Sequence, residues 1–264
     1  MARGSGAGVI NEVTQGDCLE LLPLVPNASV DMILCDLPYG TTACKWDTVI
    51  PFEPLWAQYR RVLKPGGAVV LTASQPFTHA LIASNLHCYK YSWVWDKRFA
   101  GNFVNASRTP LRVHEDVLVF SFNGGTPQYF PVMQSREVPI KRGGNKQSEA
   151  IPIRRSNTAV AFGASGKIYT EKFPSTILAF NGREGRGLHP TQKPVALFEY
   201  LIRTYTNEGD TVLDNCCGSG TTGVACQNTG RNFIQMEMSE KYCEIARERL
   251  NSQLPLLPEI RRSA

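Results

Sequence analysis

Short apolar runs alternate with stretches of helical spacing along most of this chain. The nearly continuous apolar run at 30–35 predicts a strand that is buried on both faces. At 52–63 apolar residues recur with the period of a helix, and Lys-Pro-Gly-Gly at 64–67 ends that helix before a strand at 68–72. The same patterns predict helices at 77–86, 194–205, 221–229 and 240–250, and strands at 91–95, 116–122, 211–213 and 232–236.

The pattern changes between residues 122 and 187, where Gly, Pro, Ser, Asn, Lys and Arg dominate and the apolar period fades. We interpret this region as an insertion of loops and short elements. Strands alternate with helices before and after it, which predicts an α/β fold whose mostly parallel sheet has helices on both faces. The predicted main domain therefore comprises residues 1–121 and 188–264, and the insertion interrupts it.

With 264 residues, of which 42% are hydrophobic, the chain can bury one substantial core. No apolar run approaches the roughly 20 residues of a membrane span, and the first residues lack the apolar stretch of a signal peptide. We therefore expect a soluble, cytoplasmic protein. The eight cysteines form no paired Cys-x-x-Cys set, which predicts reduced thiols and no structural metal site.

The positive charge of the chain is concentrated in the predicted insertion. Residues 121–188 include ten basic and four acidic residues, whereas the whole chain has a net charge of only +5. Such a concentration of positive charge is typical of a region that contacts nucleic-acid phosphates. A solvated loop surface without a partner is the alternative interpretation of the same charge.

A glycine-rich turn follows the predicted strand at 211–213. Asp214 lies at the end of that strand, and Gly218 and Gly220 lie in the turn that opens the next helix, where backbone N–H groups can meet a ligand. Glu237 follows Gly218 by nineteen residues, close to the ~20-residue spacing at which an acidic residue binds ribose hydroxyls. The alternative is that the two glycines of a lone Gly-x-Gly only allow a helix to pack closely against a strand, without binding a ligand. Because the chain has no Gly-x-Gly-x-x-Gly here, NAD and FAD are disfavoured, and S-adenosylmethionine, which has a ribose but no pyrophosphate, fits better.

A second polar turn, Asp36-Leu37-Pro38-Tyr39, follows the predicted buried strand at 30–35. Ligands of open α/β sheets bind at the carboxyl ends of the strands, which is where this turn lies. The exocyclic amine of adenine or cytosine is a poor nucleophile, and Asp36 with the Leu37 or Pro38 carbonyl can accept its two hydrogens and so activate it. Tyr39 can stack on a base that has been flipped out of its duplex. Taken alone, the four residues are more typical of a turn that caps a strand.

Together the two turns resemble the motifs of the DNA amino-methyltransferases. Residues 36–39 are similar to the D/N/S-P-P-Y/F/W catalytic motif of that family, and residues 214–222 are similar to its D-P-F-x-G-S-G-T-T cofactor motif. The catalytic motif comes first and a target-recognition insertion separates the two, an order that resembles the β group. The resemblance implies a Rossmann-like, S-adenosylmethionine-dependent methyltransferase fold that is circularly permuted.

The resemblance also implies a reaction, namely direct transfer of a methyl group from S-adenosylmethionine to adenine N6 in double-stranded DNA. An aspartate that opens the catalytic motif favours adenine, and cytosine N4 is the alternative target. Neither a metal nor a covalent enzyme intermediate is expected. A non-catalytic nucleotide-binding module is disfavoured by the intact catalytic turn, and a nicotinamide dehydrogenase by the missing third glycine. A methyltransferase that acts on RNA is a further alternative, and it would prefer unpaired bases.

By position, the resemblance assigns roles to individual residues. The residues assigned to the target base are Asp36, Pro38 and Tyr39. Those assigned to the cofactor are Asp17, Thr191, Lys193, Asp214, Cys216, Gly218, Ser219, Gly220, Thr221 and Glu237. For Asp17 the alternative is capping of a helix that begins immediately after it. The candidate DNA-binding residues of the basic insertion are Arg142, Arg154, Arg155, Arg183 and Arg186.

Two residues depart from the family pattern. Leu37 replaces a proline, which leaves the catalytic turn less rigid. Cys216 replaces the aromatic residue usually found beside the cofactor adenine, so we expect weaker cofactor binding than is typical. The resemblance further implies a prokaryotic or phage-encoded enzyme, and it leaves open a homodimer and a cognate restriction endonuclease as partners.

Overall fold

The computed structural model describes residues 10–42, 44, 47–101, 103–122, 124–142, 167–182 and 192–252. The strands are β1 (Glu12–Gln15), β2 (Val30–Cys35), β3 (Leu63–Ala73), β4 (Tyr89–Gly101), β5 (Arg112–Phe120), β6 (Gln134–Arg142), β7 (Lys167–Lys172), β8 (Ile177–Ala179), β9 (Thr211–Asp214) and β10 (Asn232–Glu237). The helices are α1 (Cys18–Leu21), α2 (Phe52–Val62), α3 (Phe77–Ser84), α4 (Val195–Tyr205), α5 (Thr221–Thr229) and α6 (Glu240–Ser252), with short 3-10 turns at Leu22–Leu24 and Phe103–Asn105.

The chain divides into two compact units, one from residues 1–130 and 176–264 and one from residues 131–175. In the larger unit eight strands form one sheet in the order β1-β10-β9-β2-β3-β5-β4-β8. Only β5 runs antiparallel to its neighbours β3 and β4, and the other neighbouring strands are parallel, so the expected mostly parallel sheet is confirmed. In the smaller unit β6 and β7 form an antiparallel hairpin.

Helices cover both faces of the large sheet, and each face has its own apolar core. On one face Leu201 of α4, Val224 of α5 and Ala246 of α6 pack together with strand residues. On the other face Leu55 of α2 and Leu81 of α3 belong to a second buried cluster. Full burial of each large aliphatic side chain contributes about 1.5–3 kcal/mol, so both faces need their helical cover. Within the described ranges, no helix is long and apolar enough to cross a membrane.

The Lys-Pro-Gly-Gly segment lies inside a strand, not in a separate turn as its composition predicted. β3 begins at Leu63, directly after α2, whereas the apolar pattern predicted a strand from 68. The register between β3 and β2 shifts within this segment, so its extra residues form a bulge. A Cβ atom at Gly67 would lie 2.7 Å from the Asp31 carbonyl oxygen, which explains the glycine there.

β4 and β5 are longer than their apolar patterns predicted. The patterns marked 91–95 and 116–122, but both strands extend into polar sequence and continue as a hairpin beyond those ranges. The polar residues carry no alternation that marks them as strand, because both of their faces are partly exposed. Among them are Lys97 and Glu115, which contribute to the cavity described next.

Candidate active site

The two polar turns of the sequence meet at one edge of the sheet. β2 and β9 are parallel neighbours, with Ile33 opposite Leu213, so Asp36 and Asp214 lie at adjacent carboxyl ends. A cavity of about 580 Å³ opens there, a size typical of small-molecule sites. The predicted residues that line it are Asp17, Asp36, Pro38, Tyr39, Lys193, Asp214, Cys216, Gly218, Ser219, Thr221 and Glu237.

Asp36 accepts hydrogen bonds from three side chains. Its Oδ1 accepts from the Tyr39 hydroxyl at 2.8 Å and from the Thr72 hydroxyl. Its Oδ2 accepts from Lys193 Nζ at 2.6 Å. Because a carboxylate oxygen accepts about two hydrogen bonds, Oδ1 is saturated, whereas Oδ2 retains one acceptor site among the described residues. That site is available to one N–H of an amine bound in the cavity.

Lys193 is a buried ammonium group that lies between two carboxylates. Its side chain is only 6% exposed, and Nζ lies 2.6 Å from Asp36 Oδ2 and 3.4 Å from Glu115 Oε2. The second contact is an ion pair without a hydrogen bond, and Glu115 also pairs with Lys97 at 3.2 Å. Burial lowers the pKa of Lys193, but the two carboxylates outweigh this effect and raise the pKa above its ordinary value. Lys193 is therefore protonated at neutral pH.

The ring of Tyr39 has a fixed position beside Asp36. It stacks on Phe77, with 5.1 Å between the ring centroids and an interplanar angle of 22°. Lys193 Nζ lies 5.6 Å from the Tyr39 ring centroid, within the range of a cation–π contact. Burial, and then the negative charge of Asp36, raise the pKa of the Tyr39 phenol well above its ordinary value. Tyr39 is thus a neutral hydrogen-bond donor whose ring orientation is restricted before any base arrives.

The loop after Tyr39 is anchored by Asp47, a residue that the sequence analysis did not single out. Its carboxylate accepts hydrogen bonds from the backbone N–H groups of Gly40, Thr41 and Thr42, at 2.8, 2.9 and 2.7 Å. Burial raises the pKa of Asp47, but these bonds and the Thr42 hydroxyl together lower it below its ordinary value. No motif could have marked this contact, because its donors are backbone groups that any residue supplies.

Asp214 is a buried carboxylate at the end of β9. It is 3% exposed and accepts hydrogen bonds from the Thr222 hydroxyl and, at 3.1 Å, from the Cys216 N–H. Burial is the dominant influence and raises its pKa to about 6, although the hydrogen bonds act in the opposite direction. The folded protein therefore holds a proton on Asp214 more tightly than an unfolded chain does.

We expect Asp214 to reduce the stability of the cofactor-free protein as the pH rises from about 4 to 7. Because the folded-state pKa of about 6 exceeds the ordinary 3.8, the stabilising effect of the bound proton, about 3 kcal/mol, is present at low pH and lost on the way to neutrality. The variant Asp214→Asn should lack the loss of folding stability that deprotonation of Asp214 causes. Denaturant unfolding of both proteins across this pH range measures the difference, and parallel curves would contradict it.

Glu237, at the end of β10, holds the glycine turn in place. Its Oε2 accepts a hydrogen bond from the Gly218 N–H at 2.9 Å, and its Oε1 accepts one from the Ser239 N–H at 2.8 Å. In the part of the chain that the structure describes, each oxygen retains one further acceptor site. The same carboxylate can therefore shape the turn and accept hydrogen bonds from two ligand hydroxyls.

Arg249 of α6 is a second residue of the site that sequence reasoning missed. Its guanidinium donates hydrogen bonds to the Ser219 carbonyl at 3.1 Å and to the Thr221 hydroxyl at 3.2 Å. Gly220, between them, has a φ of 78°, and a Cβ atom there would lie 3.0 Å from Ala246 Cβ. Gly220 thus shapes the turn from its α6 side, and it is not among the residues that line the cavity.

Asp17 caps α1, because its side chain accepts a hydrogen bond from the Leu19 N–H at 2.8 Å. The capping alternative is confirmed, and since Asp17 also lines the cavity it remains a candidate cofactor residue. The other predicted residues cannot be placed in this way. Outside the described residues lie Thr191, Arg154, Arg155, Arg183 and Arg186, and for Arg142, at the end of β6, only the backbone is described. Their roles stay predictions.

The fold and the cavity together define the class of this protein: an open α/β sheet whose ligand cavity is formed by two polar turns at neighbouring strand ends. A family model of the N6/N4 methyltransferases, described as DNA methylase, matches residues 30–248. The match spans most of the chain, which therefore belongs to this DNA methylase family. The resemblance of the motifs is confirmed.

Individual relatives match along most of their length. M.HpaI of Haemophilus parainfluenzae, a type II methyltransferase, is 28% identical over 251 residues, which cover 90% of this chain and 73% of that protein. YhdJ of Escherichia coli K12, a DNA adenine methyltransferase, is 30% identical over 262 residues, which cover 90% and 82%. The crystal structure of the M1.HpyAVI–SAM complex has a TM-score of 0.59 at 25% identity and covers 91% of this chain and 98% of that one. The predicted methyltransferase fold is confirmed.

Proposed function

We propose that this DNA methyltransferase transfers a methyl group from S-adenosylmethionine to adenine N6 at a specific sequence in double-stranded DNA, on a base that has left the duplex. One observation carries the proposal: a single cavity joins Asp36, Pro38 and Tyr39 to the glycine turn and Glu237. Direct transfer requires that an activated amine and a methyl donor meet at a fixed distance, which a shared cavity provides.

The residues of the cavity fit S-adenosylmethionine. Glu237 retains acceptor sites for ribose hydroxyls beside the Gly218 N–H. Gln192 lines the cavity at 7% exposure, and its Oε1 has no hydrogen-bond partner in the part of the chain that is described. A buried acceptor without a partner is costly, so a ligand with N–H donors suits this position. When bound, S-adenosylmethionine would supply a methyl group on a positively charged sulfur: as the nitrogen–carbon bond forms, the carbon–sulfur bond would break, S-adenosylhomocysteine would leave, and the nitrogen would lose one proton.

On the target side, Asp36 prepares the amine for attack. Its Oδ2 accepts one N–H, and the Leu37 or Pro38 carbonyl accepts the other, so the nitrogen lone pair leaves conjugation with the ring. Lys193 and the Tyr39 hydroxyl hold the carboxylate in one orientation before the base binds. This preorganisation reduces the entropy that must be lost when the reacting groups come together. The fixed Tyr39 ring offers the base a surface for stacking once it is flipped.

Adenine is the target that the residues favour. An aspartate opens the catalytic turn, and YhdJ, a relative at 30% identity, is a DNA adenine methyltransferase. Cytosine N4 is the alternative, because its exocyclic amine needs the same two acceptors. The two bases are distinguished by the methylated nucleoside that each leaves in DNA.

Incubation of the protein with unmethylated duplex DNA and labelled S-adenosylmethionine, followed by digestion and mass spectrometry of the nucleosides, tests the proposal. N6-methyldeoxyadenosine is the expected product. N4-methyldeoxycytidine would retain the mechanism and overturn the base assignment. No label in DNA of broad sequence content, from a folded protein that binds the cofactor, would contradict the proposed function.

The biological setting extends the same proposal. M.HpaI is a type II methyltransferase, and we propose on this likeness that a cognate restriction endonuclease with the same recognition sequence accompanies the protein. A cytoplasmic location in a bacterial cell, where both enzymes would meet the genome, also belongs to the proposal. The protein acts as a monomer or a homodimer, and sedimentation at several concentrations distinguishes the two.

We expect cofactor binding to tighten when an aromatic ring is introduced at position 216. Cys216 lines the cavity and is half-buried, and base–aromatic stacking contributes about 1–3 kcal/mol. Cys216→Phe should therefore bind S-adenosylmethionine roughly tenfold more tightly than the wild type in equilibrium titration. Cys216→Ala controls for loss of the thiol. Unchanged or weaker binding by Cys216→Phe would count against an adenine site at this position.

A further inference from the structure

The tip of the β4–β5 hairpin exposes apolar side chains. Phe103 is 63% exposed and Val104 is 95% exposed. The tip has a defined shape, since the Ala106 N–H donates to the Phe103 carbonyl and the Arg108 N–H donates to the Asn105 carbonyl, at 3.1 and 2.9 Å. A preformed turn that presents large apolar side chains to solvent is typical of an interaction surface.

This tip lies close to the mouth of the cavity. Lys97 of β4 and Arg112 of β5 line the cavity, and Gly101 pairs with Arg112 across the hairpin. Phe103 follows Gly101 by two residues, a length of chain that spans at most about 7 Å. Phe103 therefore lies within about 7 Å of the strand residue that pairs with the cavity-lining Arg112.

The hairpin has an excess of positive charge, which suits a polyanionic partner. Residues 97–113 include four basic residues and no acidic one. Arg98 pairs with Asp96 at 3.4 Å, whereas Arg108 and Arg112, which both follow the turn, are exposed. Basic side chains around an apolar tip are the composition of proteins that insert a wedge into DNA and contact its phosphates. A protein-binding surface has no comparable need for charge of one sign.

We propose that Phe103 and Val104 form a wedge that enters the DNA duplex at the target base pair and fills the space vacated when the base moves into the cavity. The proposal rests on the proposed function, because a wedge at the target base pair serves an enzyme that acts on a flipped base. Flipping requires the base to lose its pairing and stacking. Apolar contacts of Phe103 and Val104 with the remaining bases replace part of the stacking that the flipped base has lost. Arg108 and Arg112 contact the flanking phosphates.

The test compares two substrates that differ only in the cost of flipping. Sequencing of DNA methylated by the protein first identifies the target sequence. One duplex then carries the target base in a normal pair, and the other carries it opposite an abasic site, where flipping needs no pairing to be broken. Methylation rates are measured for the wild type, for the double variant Phe103→Ala/Val104→Ala, and for Leu86→Ala, a control side chain that is 65% exposed and lies outside the cavity.

We expect the double variant to methylate the normal duplex at least tenfold more slowly than the wild type, and the abasic duplex within about threefold of it. Leu86→Ala should match the wild type on both, and cofactor binding should be unchanged in all three proteins. Equal losses on the two substrates, or no loss on the normal duplex, would overturn the wedge. So would normal methylation with an altered sedimentation coefficient, which would identify the tip as a contact between protein chains. If the first step finds no methylated base in DNA of broad sequence content, the proposed function itself is refuted, and the wedge is not what has failed.

Discussion

Asp36→Ala is expected to lower the rate of methyl transfer by roughly 10³-fold while it leaves cofactor binding nearly unchanged. The variant removes the acceptor site on Oδ2 that the target amine needs, and it releases Tyr39, Thr72 and Lys193 from their common partner. Within the described part of the chain no hydrogen bond joins Asp36 to the glycine turn or to Glu237, so the predicted cofactor site should persist. Single-turnover rates and equilibrium titration with S-adenosylmethionine measure the two effects separately.

Asp31→Asn is a matched control for this variant. Asp31 lies on β2, the strand that Asp36 follows, and it also pairs with a lysine, Lys64, at 2.8 Å. It lies outside the cavity, so its neutralisation should affect stability slightly and leave the transfer rate within about threefold. A transfer rate in Asp36→Ala close to that of Asp31→Asn would remove Asp36 from the mechanism.

Lys193→Met is expected both to destabilise the protein and to reduce methyl transfer by roughly 100-fold. The variant leaves Asp36 and Glu115 close together without the ammonium group that lies between them. Loss of one partner from a buried pair costs about 3–5 kcal/mol, and because the two carboxylates are partly exposed we expect about 2–3 kcal/mol. Repulsion between the carboxylates also turns Asp36 away from the position in which it meets the amine. Chemical denaturation and single-turnover rates measure the two effects.

Alkaline titration gives an independent measure of the same ion pair. The pKa of Lys193 in the folded protein is raised above its ordinary 10.5, so its contribution to stability is fully present below that pH and is lost as the pH rises through the folded-state pKa. The wild type should therefore lose more stability than Lys193→Met in that alkaline range. Lys64→Met is the matched control: its side chain is 43% exposed in its pair with Asp31, so we expect a loss below about 1 kcal/mol. Equal losses in the two methionine variants would contradict a buried, paired Lys193.

The elements whose sequence pattern is strongest were predicted almost to the residue. The apolar run of β2 ends where the structure ends it, at Cys35, and α5 has the predicted range Thr221–Thr229. The apolar pattern predicted the extent of β4 less well, because this strand continues through polar sequence to Gly101. A buried strand or an amphipathic helix imposes a period on its residues, whereas a hairpin exposed on both sides imposes none.

The sequence by itself determined the family, the fold class and the two turns of the candidate site, because each of these depends on residues that are neighbours in the chain or recur with a fixed period. Only the tertiary structure decided how the turns are completed. Lys193 pairs with Asp36 across 157 residues, Asp47 anchors backbone N–H groups, and Arg249 holds the cofactor turn from the last helix. These contacts depend on which strands and helices become neighbours, and a side chain that meets its partner through folding leaves no local pattern in the sequence.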